Sequence, residues 1–223
     1  MNIGVITYDI PHLKTEQLVL SLLHNNSISK ITLYALPFVT RKARLVKYPH
    51  RPDQKLSVNQ KEFISYSKVF YQRWDGKSHV YHNDEVVIIA GGGIINPNLF
   101  GNTPILNVHP GLIPLVRGLD SFKWSIYLDH PLGVSLHVID EKVDKGVLLC
   151  VKKTPVFASD TYYSLARRHY ELEINLLTDS LRYVGKPIVS EYGEQPANMR
   201  MPVEKEISMI GKFENWKLKY CLK

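Results

Sequence analysis

Three residues in this chain have the types and spacing to move an acyl group onto an amine. Asn107 and His109 stand two positions apart in Asn107-Val108-His109-Pro110-Gly111, and Asp144 follows in Val143-Asp144-Lys145-Gly146. An asparagine amide offers N–H to a developing oxyanion, an imidazole titrates near neutral pH, and a carboxylate can orient it. No serine or cysteine nucleophile is needed, so the set suits direct transfer. Residues i and i+2 of an extended chain project to the same side. Pro110 then fixes the backbone behind the histidine.

Such a set needs a frame, and the hydrophobic patterning supplies one. Residues 2–7 are apolar and β-rich, Thr15 to Leu23 carries leucines at helical spacing, and Ile31 to Leu36 reads as a second strand. Strand, helix and strand in that order predict a βαβ unit and a parallel sheet. Residues 40–60 read as a loop, with a short helix capped by Asn59 after it. Glu85 to Ala90 is the strongest buried-strand signal and runs into Gly91-Gly92-Gly93. Residues 104–107 form a further strand that delivers Asn107 and His109 just past its end, the edge where open α/β sheets bind ligands. A helix around Ser121 to Leu128, strands at 133–139 and 146–151 flanking Asp144, and a long helix from Thr161 to about Tyr183 complete an α/β chain. The reading gives one domain over 1–185 and a short C-terminal extension over 186–223. Apolar Ile207, Met209, Ile210 and Trp216 in that extension either cover a second copy, making a homodimer, or fold back.

Bulk properties narrow the class. The chain has 223 residues, 44% hydrophobic and 22% charged, and a net charge of +7, values of an ordinary globular domain with an affinity for anions. No apolar run reaches the ~18 residues of a membrane span, and Asn2-Ile3-Gly4-Val5-Ile6 reads as a strand, not a signal peptide. The expectation is a cytoplasmic protein with no membrane partner. Cys150 and Cys221 have no metal or redox spacing, and Cys150 reads as a buried, inert thiol. No metal site is expected. His137 alternates with Leu136 and Val138 and reads as a hydrogen-bonded sheet histidine, while Trp124 and Tyr127 read as core.

At Asn107-Val108-His109-Pro110-Gly111-Leu112-Ile113-Pro114, with Arg117-Gly118 behind, the chain resembles the folate-dependent formyltransferases, whose signature is Asn-x-His-Pro-(Ser/Gly)-Leu-Leu-Pro. Gly133-Val134-Ser135-Leu136-His137, Val143-Asp144-Lys145-Gly146 and Pro155-Val156-Phe157-Ala158-Ser159-Asp160-Thr161 are similar to that family's following blocks, in the same order. The resemblance implies a Rossmann-like, open, mostly parallel sheet flanked by helices. It also implies 10-formyltetrahydrofolate as donor, an amine as acceptor, and Asn107, His109 and Asp144 as the catalytic triad. Asn107 and a protonated His109 would stabilise the oxyanion, His109 would relay the amine proton directly or through water, and Asp144 would hold the imidazole or order the water. The folate would lie on Ile89, Ala90, Gly91, Gly92, Ile94 and Ile95, with Val138, Ile139 and Asp140 as the opposite wall. A glycine run lets a flat ring reach backbone groups.

The acceptor follows from what is missing. The glycinamide ribonucleotide branch carries a Gly/Ser-rich phosphate loop after its first strand, where this chain reads Thr7-Tyr8-Asp9-Ile10-Pro11-His12. The methionyl-tRNA branch adds a substantial RNA-binding domain for which 186–223 is too short, so nucleic acid is not an expected partner. What remains is the group acting on nucleotide-linked aminosugars. Arg41, Lys42, Arg44 and Lys47, with Arg117 and Gly118, are the candidate contacts to such a substrate, although a solvated basic loop explains the first four equally well. Tyr66, Phe70, Tyr71 and Trp74 either stack a base or pack. The other readings are a formyltetrahydrofolate enzyme with a different amine acceptor, or with water as acceptor, and a non-catalytic nucleotide- or folate-binding protein.

Overall fold

The computed structural model describes residues 1–39, 45–141 and 144–222. Its centre is a seven-stranded sheet in the order β3-β2-β1-β4-β5-β7-β8. β1 (Asn2–Tyr8) pairs parallel with β2 (Lys30–Leu36) on one side and β4 (Val86–Ile89) on the other, the crossover to β2 being helix α1 (Leu13–Leu23). Ile3, Val5 and Ile6 of β1 are fully buried, which is why the sequence there reads as a continuous apolar run.

β2 continues in parallel to β3 (Val69–Arg73), an edge strand that sequence patterning does not reveal. Its run Val-Phe-Tyr-Gln-Arg buries only Val69, so its apolar alternation is too short to register. The aromatic cluster around it divides: Trp74 is buried in the core, whereas Tyr66 and Phe70 are exposed. β4 pairs in parallel with β5 (Ile105–His109), and from there the sheet turns antiparallel through β7 (Gly133–Val138) to β8 (Leu148–Lys153). Asn107 and His109 therefore lie within the last residues of β5, and not beyond it as the sequence pattern suggests. Cys150 is half-buried on β8.

Helix α3 (Tyr162–Thr178), capped by Thr161, packs on β5, β7 and α1. Around the short helix α2 (Ser121–Tyr127) a second core forms, to which α4 (Val203–Tyr220) contributes Met209, Phe213 and Trp216. Arg117–Gly118 (β6) and Ala197–Asn198 (β9) pair as a two-stranded parallel bridge that ties the C-terminal segment to the motif region. At the heart of this contact the buried carboxylate of Glu206 takes Lys123 Nζ at 2.7 Å and the backbone N–H groups of Lys47 and Tyr48 at 2.8 and 3.1 Å. No helix among the described residues is long and apolar enough to cross a membrane.

Candidate active site

The antiparallel register of β5 and β7 sets Asn107 opposite His137 and His109 opposite Ser135. Nδ2 of Asn107 lies 3.2 Å from Nε2 of His137. A ring nitrogen that faces an amide N–H has to accept, which requires a neutral imidazole. Burial enforces this: it drives the His137 pKa down to about 4, against the opposing pull of Asp144. The Asn107 amide has two hydrogens. His137 takes one, and the other remains for a ligand.

His109 is buried, with Nε2 3.0 Å from the Val116 carbonyl and 3.0 Å from Ser121 Oγ. A carbonyl can only accept, so Nε2 carries hydrogen and Nδ1 is the nitrogen left to gain or lose a proton. Nδ1 lies 3.4 Å from Asp144 Oδ2. The glycine after His-Pro is dictated by this seat: a Cβ on Gly111 would lie 2.7 Å from His109 Nε2 and 2.5 Å from the Val116 carbonyl. Ser135 Oγ secures the same turn, donating to the Gly111 carbonyl at 2.8 Å and accepting the Ile113 N–H at 2.9 Å.

Asp144 adopts a left-handed backbone, φ 50°, a region that aspartate tolerates better than most non-glycine residues. Its Oδ2 accepts the Gly118 N–H at 2.9 Å, and Oδ1 faces His137 Nε2 at 3.8 Å. Gly118 has φ 86°, and a Cβ there would stand 2.2 Å from the Asn198 carbonyl. Gly146 is equally constrained, since its Cβ would meet the Val138 carbonyl at 1.7 Å. The two glycines thus let the Asp144 loop close onto β7 and onto the bridge to the C-terminal segment.

Beside the three residues opens a cavity of about 190 Å³. Asn107, His137 and Asp144 form one end of it, and Ile89, Ile95 and Ile139 give it apolar walls. Gly92, Ile94 and Asp140 also face it, together with Gly93 and Glu141, which sequence reasoning passed over. Ala90, Gly91 and Val138 do not line it. Gly91 is instead wedged against His12 and Tyr8, 2.8 and 2.9 Å from where its Cβ would be. In front of Gly93 there is open space, and a Cβ on Gly92 would come no nearer than 3.4 Å to any neighbour. That opening is walled by isoleucines and edged by polar groups, the lining chemistry of small-molecule sites.

The candidate substrate contacts fare differently. Arg117 is buried and directs Nη1 to Glu194 at 3.0 Å and to the Gln195 carbonyl at 3.1 Å, so its reach is toward the protein and not toward the cavity. Gly118 acts on Asp144 through its N–H. Lys47 meets Glu206 through its backbone, and Arg41, Lys42 and Arg44 lie outside the described residues. Further along the same loop, Arg51 pairs with buried Glu173, which also takes Lys14 Nζ at 2.8 Å. Burial would raise the Glu173 pKa, but the two cations override it and hold it near 2. Gln54 sits on the N-terminus of α1, its carbonyl accepting the Leu13 N–H at 2.8 Å and its side chain the Lys14 N–H at 3.2 Å. Among the described residues no cluster of His, Cys, Asp or Glu could hold a metal ion.

A mostly parallel sheet flanked by helices thus presents Asn107 and His109 at the end of β5, with Asp144 brought against His109 from the loop after β7. The formyl transferase family model matches residues 18–181, and the chain belongs to that family. It is 32% identical over 117 residues to methionyl-tRNA formyltransferase of Wolbachia pipientis, an alignment covering 51% of this chain and 39% of that protein. The chain therefore spans about two fifths of that curated relative. Among solved structures, a sugar N-formyltransferase from Shewanella superposes with a TM-score of 0.59 at 20% identity, covering 96% of this chain and 87% of the other. The formyltransferase PseJ from Anoxybacillus kamchatkensis, in complex with UDP-4,6-dideoxy-4-formamido-L-AltNAc and tetrahydrofolate, gives 0.56 at 18% identity and 96% and 97% coverage. These likenesses establish the shared fold.

Proposed function

We propose that this chain is an N-formyltransferase that moves a formyl group from 10-formyltetrahydrofolate to the amine of a nucleotide-linked amino-dideoxysugar. The observation that carries the reaction is that Asn107 and Asp144 line one cavity while Asp144 also meets His109 Nδ1 at 3.4 Å. Bound folate would supply the formyl group; Ile89, Gly92, Ile94, Ile95, Ile139 and Asp140 are the residues to hold it. Asn107 then has one amide hydrogen for the charge that builds on the formyl oxygen. His109 Nδ1, facing Asp144, can pass a proton from the incoming amine toward the departing nitrogen. Asp144, fixed by the Gly118 N–H, keeps the imidazole aligned.

For the acceptor, the support is the cap on α1. A helix N-terminus after the first strand is a ready seat for a free phosphate, and here Gln54 fills it. The aminosugar reading is also favoured by two neighbours that match almost the whole chain, one named a sugar N-formyltransferase and the other a formyltransferase in complex with a UDP-linked formamido sugar.

The test is incubation of the purified chain with 10-formyltetrahydrofolate and, separately, dTDP- and UDP-linked aminosugars, glycinamide ribonucleotide and methionyl-tRNA. Tetrahydrofolate release that depends on a nucleotide aminosugar supports the reading. Release dependent on one of the other amines reassigns the acceptor, release without any amine makes the chain a hydrolase, and no release refutes catalysis.

A further inference from the structure

A second, larger cavity of about 400 Å³ shares no lining residue with the first. Its walls are Leu13 of α1, Pro49 and Pro52 of the segment after β2, and Tyr163, Ala166 and Tyr170 of α3. In the sheet order, β2 and β3 lie to one side of β1, and β4 and β5 to the other. The chain therefore reverses direction across the sheet between β1 and β4, which is where open α/β sheets form their ligand crevice. The first cavity takes its walls from β4, β5, β7 and the turns after them, the second from α1, the segment after β2 and α3.

The second cavity has the chemistry for the base of a nucleotide. Two proline rings and two tyrosines give flat apolar walls, on which a heterocycle stacks with little regard to its identity. Gln17 and His50 stand among them with polar edges, and Arg51 and Arg167, each paired with a carboxylate (Glu173 and the lining Glu171), offer cations to a diphosphate. The volume falls within the ~300–1,000 Å³ of small-molecule sites.

The walls are held from behind. Tyr170 donates to Gln17 at 2.8 Å and accepts from Gln54 at 3.3 Å, and Arg51 is pinned on Glu173. Glu206 grips the backbone at Lys47 and Tyr48, just before Pro49. The cavity also abuts the reactive histidine: His50 stacks on Phe122, ring centroids 5.6 Å apart, and the neighbouring Ser121 touches His109 Nε2.

We propose that this cavity receives the nucleobase of the acceptor, while the donor occupies the first cavity. The inference rests on the aminosugar reading above. Calorimetric titration of the full chain with dTDP, UDP and GDP tests it, with 5-formyltetrahydrofolate titrated in parallel. At least one nucleotide binds the native chain. Tyr163→Ala, which removes an exposed stacking face, weakens that nucleotide about 5- to 150-fold, the range of one lost stack. Ala166→Phe fills the cavity and abolishes nucleotide binding. Both variants keep native affinity for 5-formyltetrahydrofolate. If a nucleotide binds the native chain and both variants equally, the cavity assignment is wrong while the aminosugar reading stands. If none of the three binds the native chain, both are wrong.

Discussion

Asn107 and His137 face each other across the β5–β7 pair with 3.2 Å between amide and imidazole, and only the Nδ1-protonated, neutral ring makes that contact. The histidine reads from the sequence as part of the sheet, and it is, but its ring also meets the amide proposed to bind the oxyanion. His137→Ala frees that amide to rotate. The expected effect is a fall in kcat of about 5- to 150-fold, equivalent to the ~1–3 kcal/mol of a disrupted buried hydrogen bond. Equal kcat values in the two proteins, measured by tetrahydrofolate release, would show that Asn107 needs no such guide.

His109→Asn removes the proton carrier while retaining a polar side chain. Turnover drops about 100- to 10,000-fold, the usual contribution of a general acid–base group. Folate binding persists, because the imidazole is not among the cavity's walls. Turnover at the native rate would remove His109 from the mechanism.

Gly118→Ala probes the anchor of Asp144. At φ 86° an alanine is strained by about 1–2 kcal/mol, and its Cβ meets the Asn198 carbonyl. The bridge between 117–118 and 197–198 must open, taking the N–H away from the carboxylate. Activity is expected to fall more steeply than melting temperature. A variant that melts early yet keeps native kcat at low temperature contradicts this coupling.

Glu206→Ala leaves Lys123, 1% exposed at its side chain, without its carboxylate. Breaking a buried pair in this way costs about 3–5 kcal/mol. The double variant Lys123→Met with Glu206→Leu should recover much of the loss, because a well-packed apolar pair can replace a buried ion pair. Urea unfolding of the three proteins gives the comparison, and an unchanged midpoint for Glu206→Ala refutes the account.

Acid should destabilise the fold above the carboxylate range. His12, His137 and His169 are each held near pKa 4, burial being the largest cause in all three. Unfolded, they titrate near 6.5. Between these values the unfolded chain binds protons that the folded chain refuses, so stability is highest above pH ~6.5 and falls as pH drops toward 4. The slope reaches at most about 1.4 kcal/mol per pH unit for each histidine. Urea midpoints at pH 7.5 and 5 will differ accordingly, and His169→Gln will reduce the difference. Identical midpoints at the two pH values would mean that these rings are solvated.

The patterned parts of this fold were legible before the structure. Buried strands such as 86–89 announce themselves because both sheet faces are covered, and Thr161 marks the start of α3 by its capping chemistry. The spacing of Asn107 and His109 and the family-like block around Asp144 brought out the reactive residues for the same local reason. What stayed hidden depends on the third dimension. β3 is half solvated and has no clear periodicity. The hold of Gly118 on Asp144 joins residues far apart in the chain, and the retreat of Arg117 to Glu194 depends on where the C-terminal segment crosses. Ala90 and Gly91 sit inside a glycine-rich motif whose outward face begins only at Gly92, a distinction set by backbone direction alone.

The cap that Gln54 places on α1 bears on how this scaffold can change partners. Backbone amides cannot be altered by exchanging one residue for another, so a phosphate gripped by them is a nearly permanent commitment. On the proposed reading, recognition of an anionic acceptor passes to side chains such as Arg51 and Arg167, each replaceable by a point mutation. Asn107 and His109 stand on β5, apart from both, and need not move when these do. Acceptor choice in such a molecule can be re-tuned one substitution at a time while the chemistry is conserved, and its dependence on ionic strength is the measurable trace of that arrangement.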